Sequence, residues 1–254
     1  MISENETHGC SRISVYDGKG FSEKEEGLIR EIPLEVYLNG CKVITIACAG
    51  LHVDELAVGF LHSEGFLRTR EEIAGVEVSC DQTRVSVRTA AGRNSPDPAE
   101  GGTLASSGAR GFGRPETEYP KERLPGRVSF TPEAILDIME RFLGQARLHE
   151  ETGGTHAAAL VRNGEILVVR EDIGRHNTID MLGGYALLHG VDCREAAIFR
   201  TGRVSSEIVL KIWRLGVSLV CSLSVPTTQA VEIARGAGMT LIGSVRRGRM
   251  KIYS

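Results

Sequence analysis

The chain has 254 residues, of which 41% are hydrophobic and 25% charged, and its formal net charge is -3 at pH 7. This length is enough for one sizeable core or for two smaller lobes. The near-neutral charge argues against general nucleic-acid binding, although it leaves room for a local basic patch. The N-terminus is polar and acidic rather than a signal peptide, and no apolar run approaches the roughly 18 residues of a membrane span. We therefore expect a cytoplasmic protein that binds neither nucleic acid nor membranes.

The N-terminal part, residues 1–130, is predicted to form a β-rich lobe. Alternating and β-branched residues predict four strands, and apolar residues one turn apart predict one helix. The strands cover residues 35–40, 43–47, 75–79 and 84–88, and the helix follows Asp54, its expected N-cap. The first two strands meet at Asn39-Gly40, a dipeptide typical of hairpin turns.

Residues 91–127 are dominated by glycine, proline, serine, arginine and glutamate, and the hydrophobic periodicity stops there. Such a segment cannot bury enough apolar area to offset its ordering entropy, so we expect a long mobile loop. A loop of this length in a compact protein is either a linker or a functional flap.

Residues 131–254 alternate between strand and helix patterns. Thr131-Pro132-Glu133 opens a helix with an N-cap, a proline and an acid in the first turn. The predicted strands are 157–161, 166–169, 196–200, 217–222, 240–245 and 250–253, and the later helices are 178–188 (capped by Asn177), 206–215 and 228–237. Strands and helices in turn favour an α/β fold with a largely parallel sheet covered by helices. We expect residues 131–254 to form the second, α/β domain.

Polar and basic residues follow several of the predicted strands. In open α/β sheets, ligands collect where strands end and helices begin. These strand ends hold Arg170, Glu171, Asp172, Gly174, Arg175, His176 and Asn177; Arg200, Thr201, Gly202, Arg203, Ser205 and Ser206; Pro226, Thr227 and Thr228; and Arg246, Arg247, Gly248 and Arg249. Guanidinium groups and helix N-termini bind phosphate oxygens, so a phosphorylated or nucleotide-like ligand is expected. The alternatives are solvated arginines with capping residues, and a structural ion-pair network of residues 170–172.

His156 opens a Thr-His-Ala-Ala sequence that superficially resembles the start of zinc-dependent nucleobase deaminases. Those enzymes need a glutamate where Ala158 stands and a later pair of cysteines for the metal. The six cysteines here are Cys10, Cys41, Cys48, Cys80, Cys193 and Cys221, and no two have C-x-x-C spacing. Zinc chemistry is therefore not expected, and the cysteines are interpreted as small buried residues in a reducing compartment. His156 is either a hydrogen-bonded residue at a strand edge or a ligand contact.

Several long motifs, in order, resemble the formate dehydrogenase accessory proteins called FdhD. They are residues 31–40 (EIPLEVYLNG), 52–65 (HVDELAVGFLHSEG), 152–159 (TGGTHAAA), 170–180 (REDIGRHNTID), 201–207 (TGRVSSE), 224–228 (SVPTT), 241–243 (LIG) and 246–253 (RRGRMKIY). The resemblance covers nearly everything from about residue 30 to the end.

The resemblance implies a cytoplasmic homodimer with a three-layer core similar to cytidine deaminase, beside the smaller β-rich lobe. It also implies a sulfurtransferase that takes sulfur from a cysteine desulfurase. The acceptor is the molybdenum (or tungsten) bis-guanine-dinucleotide cofactor of formate dehydrogenase, bound as cargo, with no metal bound directly by the chain. The family's cofactor contact near the C-terminus matches Ser244, Val245, Arg246, Arg247, Gly248 and Arg249. We add His156, Arg175, His176 and Arg203 from the strand ends.

One departure bears on the sulfur chemistry. The family carries its sulfur on a loop cysteine, but residues 106–113 read SSGARGFG, with Ala109 where the thiol would stand. Because the thiolate is the nucleophile, alanine cannot form a persulfide. Whether the chain is an enzyme therefore stays open. It is either a sulfurtransferase that uses another thiol, with Cys80 nearest in sequence, or a cofactor chaperone or guanine-nucleotide-binding module without sulfur transfer.

Overall fold

The structure is a computed structural model that describes residues 8–90, 102–104, 120, 123–124 and 128–254. The strands are β1 (His8–Tyr16), β2 (Phe21–Ile29), β3 (Ile32–Leu38), β4 (Cys41–Cys48), β5 (Ile73–Val78), β6 (Arg84–Thr89), β7 (Gly102–Leu104), β8 (His156–Arg162), β9 (Glu165–Asp172), β10 (Ala196–Arg200), β11 (Leu219–Ser222), β12 (Thr240–Arg246) and β13 (Arg249–Ile252). The helices are α1 (Val53–Ser63), α2 (Pro132–Leu143), α3 (Arg147–Thr152), α4 (Asn177–His189), α5 (Ser206–Arg214) and α6 (Thr228–Ala237). Within the described ranges, every helix is too short or too polar to cross a lipid bilayer.

A six-stranded sheet in the order β13-β12-β11-β10-β8-β9 forms the C-terminal half. Only the pairings β10·β11 and β11·β12 are parallel, and the other three are antiparallel. The expected α/β class is confirmed, but the expectation of a largely parallel sheet is wrong. The reason is two tight hairpins, whose turns at Asn163-Gly164 and Arg247-Gly248 place both residues at positive φ. Turns of this geometry join antiparallel neighbours.

Helices cover both faces of this sheet. Successive strand residues point to opposite faces, so Leu160, Ile198, Val220 and Leu241 pack against α4, α5 and α6. Their neighbours Val161, Phe199, Cys221 and Ile242 pack against α2 on the other side. The result is three layers, with a mixed sheet in the middle.

A second sheet, in the order β5-β6-β3-β4-β7, is built from residues 32–104. It contains the four predicted strands and the hairpin turn at Asn39-Gly40, where both residues again have positive φ. Helix α1 covers it through Leu56 and Phe60. The division of the chain near residue 130 stays a prediction.

Helices α1 and α4 cross with their backbones in contact and thereby join the two halves. A Cβ atom on Gly59 of α1 would lie 1.7 Å from the carbonyl oxygen of Asp180, and one on Gly184 of α4 would lie 1.8 Å from that of Glu55. Only glycine fits at either position. Met181 of α4 packs into the core of the second sheet.

Two predicted helix caps are wrong. Helix α1 begins one residue before Asp54, following His52 in a left-handed conformation at φ 45°, and Asp54 lies in the first turn. Asn177 is the first residue of α4 and does not cap it. Its side-chain amide instead donates to Asp172 Oδ1 at 2.6 Å and to the carbonyl of Ala47 at 2.9 Å. Long-range hydrogen bonds of this kind leave no trace in local sequence.

The antiparallel hairpin β1–β2 and the short helix α3 were not predicted. Tyr16 and Phe21 stack at the tip of the hairpin with ring centroids 5.2 Å apart and are mostly exposed. Strand β7 pairs in parallel with β4 inside the segment expected to be entirely loop. Ala109 and residues 105–119 lie outside the described residues, so the mobile loop stays a prediction.

Candidate functional site at one edge of the sheet

Five strands of the six-stranded sheet present chain ends at one edge. The C-terminal ends of β10, β11 and β12 lie together because these strands are parallel. Strand β8 runs antiparallel to β10, so its first residue, His156, lies at the same edge, and its partner there is Asp172, the last residue of β9. The turns after these ends carry the predicted site residues. Helices α4, α5 and α6 begin here as well and point partial positive charge at this edge.

Arg200, the last residue of β10, is the most unusual group at this edge because its side chain is fully buried. Its Nη2 atom donates to the carbonyl oxygen of Arg175 at 3.1 Å, whereas Nε and Nη1 have no partner among the described residues. Burial and then the charge of Arg175 lower the pKa of Arg200 to about 9. The guanidinium is thus still protonated at pH 7 and is a buried charge without a counter-ion among the described residues.

His156 lies beside Arg200 and is half-buried. Burial, followed by the charges of Arg200, His149 and Arg175, lowers the pKa of His156 to about 4. At neutral pH its imidazole is therefore uncharged and can give and take one hydrogen bond. A neutral imidazole next to a charged guanidinium can bind an anion without adding repulsion between two cations.

The backbone of Gly202 lies close against these two side chains. A Cβ atom there would lie 3.1 Å from Arg200 Nη2, 3.3 Å from His156 Nδ1 and 3.3 Å from the Cβ atom of Arg175, all tighter than ordinary contact. The Thr155 hydroxyl, one residue before His156 in the chain, is buried and has no hydrogen-bond partner in the described part of the chain.

His176 precedes α4 and is buried. Its Nε2 atom lies 3.1 Å from Glu207 Oε2, close enough for an ion pair but without hydrogen-bond alignment, and its Nδ1 atom has no partner among the described residues. The proximity of His176 holds the pKa of Glu207 below its usual range. His176 therefore lies at this edge, between the first residues of α4 and α5.

The C-terminal segment matched to the family's cofactor contact forms the end of β12 and the turn to β13. Arg246, Arg247 and Arg249 are exposed, and none of them forms an ion pair with a described residue. Ser244 has φ 55° and donates its N–H to the carbonyl of Ser224 at 2.9 Å. The side chain of Val245 is fully buried in the core, so this residue could touch a ligand only through its backbone.

The predicted residues do not form one cluster. Arg175, His156 and His176 surround Arg200, whereas the arginines of the β12–β13 turn lie three strands away from β8, roughly 14 Å at ordinary strand spacing. Arg203 is exposed between the two groups, after β10. The edge could thus contact an extended ligand along its length.

Residues 170–172 make structural contacts, but not the ion-pair network of the alternative interpretation, since of the three only Arg170 has an ion pair among the described residues. Arg170 makes a bidentate ion pair with Glu55, at 2.5 and 2.6 Å. Glu171 accepts the N–H groups of Leu148 and His149 at the start of α3. Asp172 accepts hydrogen bonds from Gly174, Asn177 and Ala49, and burial raises the pKa of its carboxyl to about 6. The carboxylates near the edge are thus already engaged by other donors.

The strand-end residues expected to meet a ligand include Arg200, but the cofactor contacts expected from this turn include Arg203 alone. A stronger signal for Arg200 is that it ends a strand whose other four residues, AAIF, are all apolar. An arginine at the end of such a buried run needs either an acidic partner in the protein or a bound anion.

The six thiols differ in exposure: three are buried, two are exposed, and Cys41 is intermediate. Burial raises the pKa values of Cys48, Cys193 and Cys221 to about 12, which suppresses their thiolate forms. Cys10 and Cys80 are exposed, on β1 and in the turn between β5 and β6. Persulfide chemistry is therefore accessible to the exposed pair.

Similar proteins were found by family model, by sequence and by structure. The model of the FdhD/NarQ family matches residues 29–254. The sulfur carrier protein FdhD of Bacillus subtilis is 34% identical over 243 residues, covering 94% of this chain and 92% of that protein. The protein of the same name from Geobacillus kaustophilus is 34% identical over 245 residues, covering 95% of this chain and 93% of that protein.

Among solved structures, a Desulfotalea psychrophila protein assigned as a formate dehydrogenase accessory protein superposes with a TM-score of 0.79 at 24% identity. The match covers 98% of this chain and 97% of that one, and it shows a shared fold. The family resemblance seen in the motifs is confirmed by the family model and by the curated relatives. The chain belongs to the FdhD/NarQ family.

Proposed function

We propose that this protein assists the maturation of formate dehydrogenase by binding the molybdenum bis-guanine-dinucleotide cofactor as cargo, through its phosphates. The observation that carries the proposal is the charge of the sheet edge. Five arginines reach it from three strand ends and form no ion pair with any described residue: Arg200, Arg203, Arg246, Arg247 and Arg249. Guanidinium groups without carboxylate partners are suited to phosphate oxygens, and Arg203 lies just before the N-terminus of α5.

The residues present fit such a cargo. Arg200 offers two nitrogen atoms that have no partner among the described residues, and Gly202 places no side chain against its third, Nη2. The exposed turn at Arg247 and Gly248 extends the same basic edge outward by the width of several strands. The cargo itself supplies the redox-active metal, and the chain's part is to bind and orient its phosphates.

Sulfur transfer is the finer part of the proposal, and here the chain departs from its family. The curated relatives are named sulfur carriers. Ala109 replaces the expected loop thiol, and residues 81–192 contain no cysteine at all. We therefore propose a cofactor chaperone whose loop does not carry sulfur. A second candidate, a sulfur carrier with a relocated thiol, is favoured by the exposure of Cys80.

The homodimer, the cytoplasmic location and the cysteine desulfurase as sulfur donor belong to the same proposal and rest on the family resemblance. The likeness of the core to cytidine deaminase is also proposed, and the three-layer arrangement around a mixed sheet supports it.

Two measurements test these alternatives. Calorimetric titration with GDP, with guanosine and ADP as controls, should show GDP binding that depends on both the phosphates and the base. Absence of GDP binding would contradict the cargo site. Incubation with a cysteine desulfurase and cysteine, followed by intact-protein mass spectrometry, should show no added sulfur. One sulfur atom mapped to Cys80 would instead establish the second candidate.

A further inference from the structure

The side chain of Arg200 is buried at a cost that the described residues do not offset. A guanidinium has five N–H donors, and one hydrogen bond, from Nη2 to the carbonyl of Arg175, is formed with the described chain. The Nε and Nη1 atoms are buried without partners. Burying an ion costs several kcal/mol unless a counter-charge and hydrogen bonds compensate. Such a residue persists in a fold when a group beyond these residues completes it.

The groups that face Arg200 are cationic or neutral. Arg175 and His176 approach from the turn between β9 and α4, and His156 approaches from β8. Two described carboxylates on the adjoining elements are already engaged: Asp172 by three N–H donors, and Glu207 by His176. The chain thus concentrates positive charge at this point and directs its acidic groups elsewhere.

The backbone of Gly202 passes close to the guanidinium. A Cβ atom on Gly202 would lie 3.1 Å from Arg200 Nη2 and 3.3 Å from His156 Nδ1, which is tighter than ordinary van der Waals contact, so both nitrogen atoms converge beside this backbone. Gly202 is not at positive φ, so its backbone conformation does not require glycine. The close approach of these two side chains is therefore the reason that a glycine suits this position.

We propose that Arg200, Gly202 and His156 form an inner subsite that binds one phosphoryl group as a desolvated oxyanion. The identity of the whole ligand rests on the proposed function, in which the exposed arginines 246, 247 and 249 contact the remainder. The oxyanion recognised here is shared by a nucleotide phosphate and by free inorganic phosphate. The neutral imidazole supplies a hydrogen bond, and the guanidinium supplies the charge and two further donors.

Two variants separate the charge of Arg200 from the close packing at Gly202. Arg200→Met removes the charge while keeping an unbranched apolar side chain. Gly202→Ala keeps the charge but adds a methyl group that crowds Arg200 Nη2 and His156 Nδ1. Arg162→Met, at the opposite end of β8, is the control for loss of one positive charge. Each protein is purified in phosphate-free buffer and studied by thermal denaturation and by calorimetry with inorganic phosphate, GDP and guanosine as probes.

The wild type and the Arg162→Met control should gain thermal stability with millimolar phosphate, and phosphate should weaken their GDP binding by competition. Arg200→Met should melt about 2 °C or more above the wild type without ligand, because an uncompensated buried charge is gone. Both Arg200→Met and Gly202→Ala should lose the response to phosphate and bind GDP at least tenfold more weakly. Gly202→Ala keeps the test decisive if the methionine variant does not fold.

The outcomes distinguish the subsite from the proposed function. Equal GDP and phosphate binding by wild type and Arg200→Met would overturn the inner subsite while leaving GDP binding intact. A phosphate response that depends on Arg200, with no binding of GDP, would uphold the subsite and contradict the proposed function. A wild type that responds to neither probe would overturn both.

Discussion

The Nη2 atom of Arg200 donates a 3.1 Å hydrogen bond to the carbonyl oxygen of Arg175, which holds a fully buried guanidinium against backbone rather than against a carboxylate. This contact ties the end of β10 to the turn that starts α4. It fixes the direction of the guanidinium while leaving two of its nitrogen atoms unused. Because the side chain of Arg200 is already held in one conformation, it would lose little conformational entropy on binding a ligand.

The arginines of the β12–β13 turn should contribute to GDP binding. The double substitution of Arg247→Ala and Arg249→Ala is expected to weaken GDP binding by roughly tenfold or more, because a charge-assisted hydrogen bond contributes about 1.5–3 kcal/mol. Calorimetry measures the change. The double variant Arg68→Ala, Arg70→Ala removes two exposed arginines before β5 and should leave the affinity unchanged. Equal affinities of both double variants and wild type would remove the C-terminal turn from the site.

His156 should make stability depend on pH. Its pKa is about 4 in the folded protein, against an ordinary value of 6.5, so the unfolded chain binds more protons between these values. The stability that neutral His156 contributes is complete above pH 6.5 and is lost as the pH falls toward 4. The variant His156→Gln lacks this titration. Between pH 7.5 and pH 5, the melting temperature of the wild type should therefore fall further than that of the variant.

That comparison must be made in phosphate-free buffer, since a bound oxyanion would favour the protonated imidazole. Asp172 provides an opposing background: burial raises its folded pKa to about 6, so its contribution becomes more favourable as the pH falls through 6. Because Asp172 is present in both proteins, its contribution cancels when the melting-temperature shifts of the wild type and the variant are compared. Equal shifts in the two melting temperatures would show that the pKa of His156 is not lowered.

The crossing of α1 and α4 should not tolerate a methyl group. Gly59→Ala would place a Cβ atom 1.7 Å from the carbonyl oxygen of Asp180, so the helices must separate. We expect a loss of about 1–3 kcal/mol or more in the free energy of unfolding, measured by urea denaturation. Gly236→Ala in α6 is the matched control, because nothing lies within 4 Å of its Cβ position. It should stabilise the protein by roughly 0.5–1 kcal/mol. A Gly59→Ala protein as stable as wild type would refute the close contact.

The buried ion pair of Arg170 and Glu55 should be strongly sensitive to loss of one partner. Arg170→Met leaves the carboxylate of Glu55 buried, since Glu55 is only 5% exposed, and should cost about 3–5 kcal/mol. The control Arg88→Met breaks the exposed pair with Glu77 and should cost about 0–1 kcal/mol. Urea denaturation compares the two variants, and similar losses would mean that the Arg170 pair is effectively solvated.

Local signals predicted those elements whose formation depends on nearby residues. Asn39-Gly40 gives the β3–β4 hairpin because both residues must take positive φ. Thr131 caps α2 by accepting the N–H of Ala134, as its sequence indicated. The direction of pairing in the six-stranded sheet was not predictable in the same way. The antiparallel β8–β9 hairpin turns at Asn163-Gly164, a dipeptide typical of such turns. The alternating strand and helix patterns favoured parallel pairing instead.

The candidate site was predictable only in part. The motifs located the strand ends, because basic and glycine residues follow apolar runs there. They could not show that Arg170 turns away to Glu55 while Arg200 turns inward, since both arginines end an apolar strand pattern. Arg170 pairs with Glu55, 115 residues away, whereas Arg200 contacts the carbonyl of Arg175, 25 residues away. Long-range pairing of this kind has no local signature.

The most direct test of the proposed cargo is to identify what the protein carries. The wild type and the Arg247→Ala, Arg249→Ala double variant would be purified in parallel from cells that make the molybdenum cofactor. Each would be denatured, and the released small molecules would be quantified by mass spectrometry. The proposal predicts guanine nucleotide together with a pterin from the wild type, and much less of both from the variant. Release of guanine nucleotide without a pterin, or of neither compound, from the wild type would contradict it.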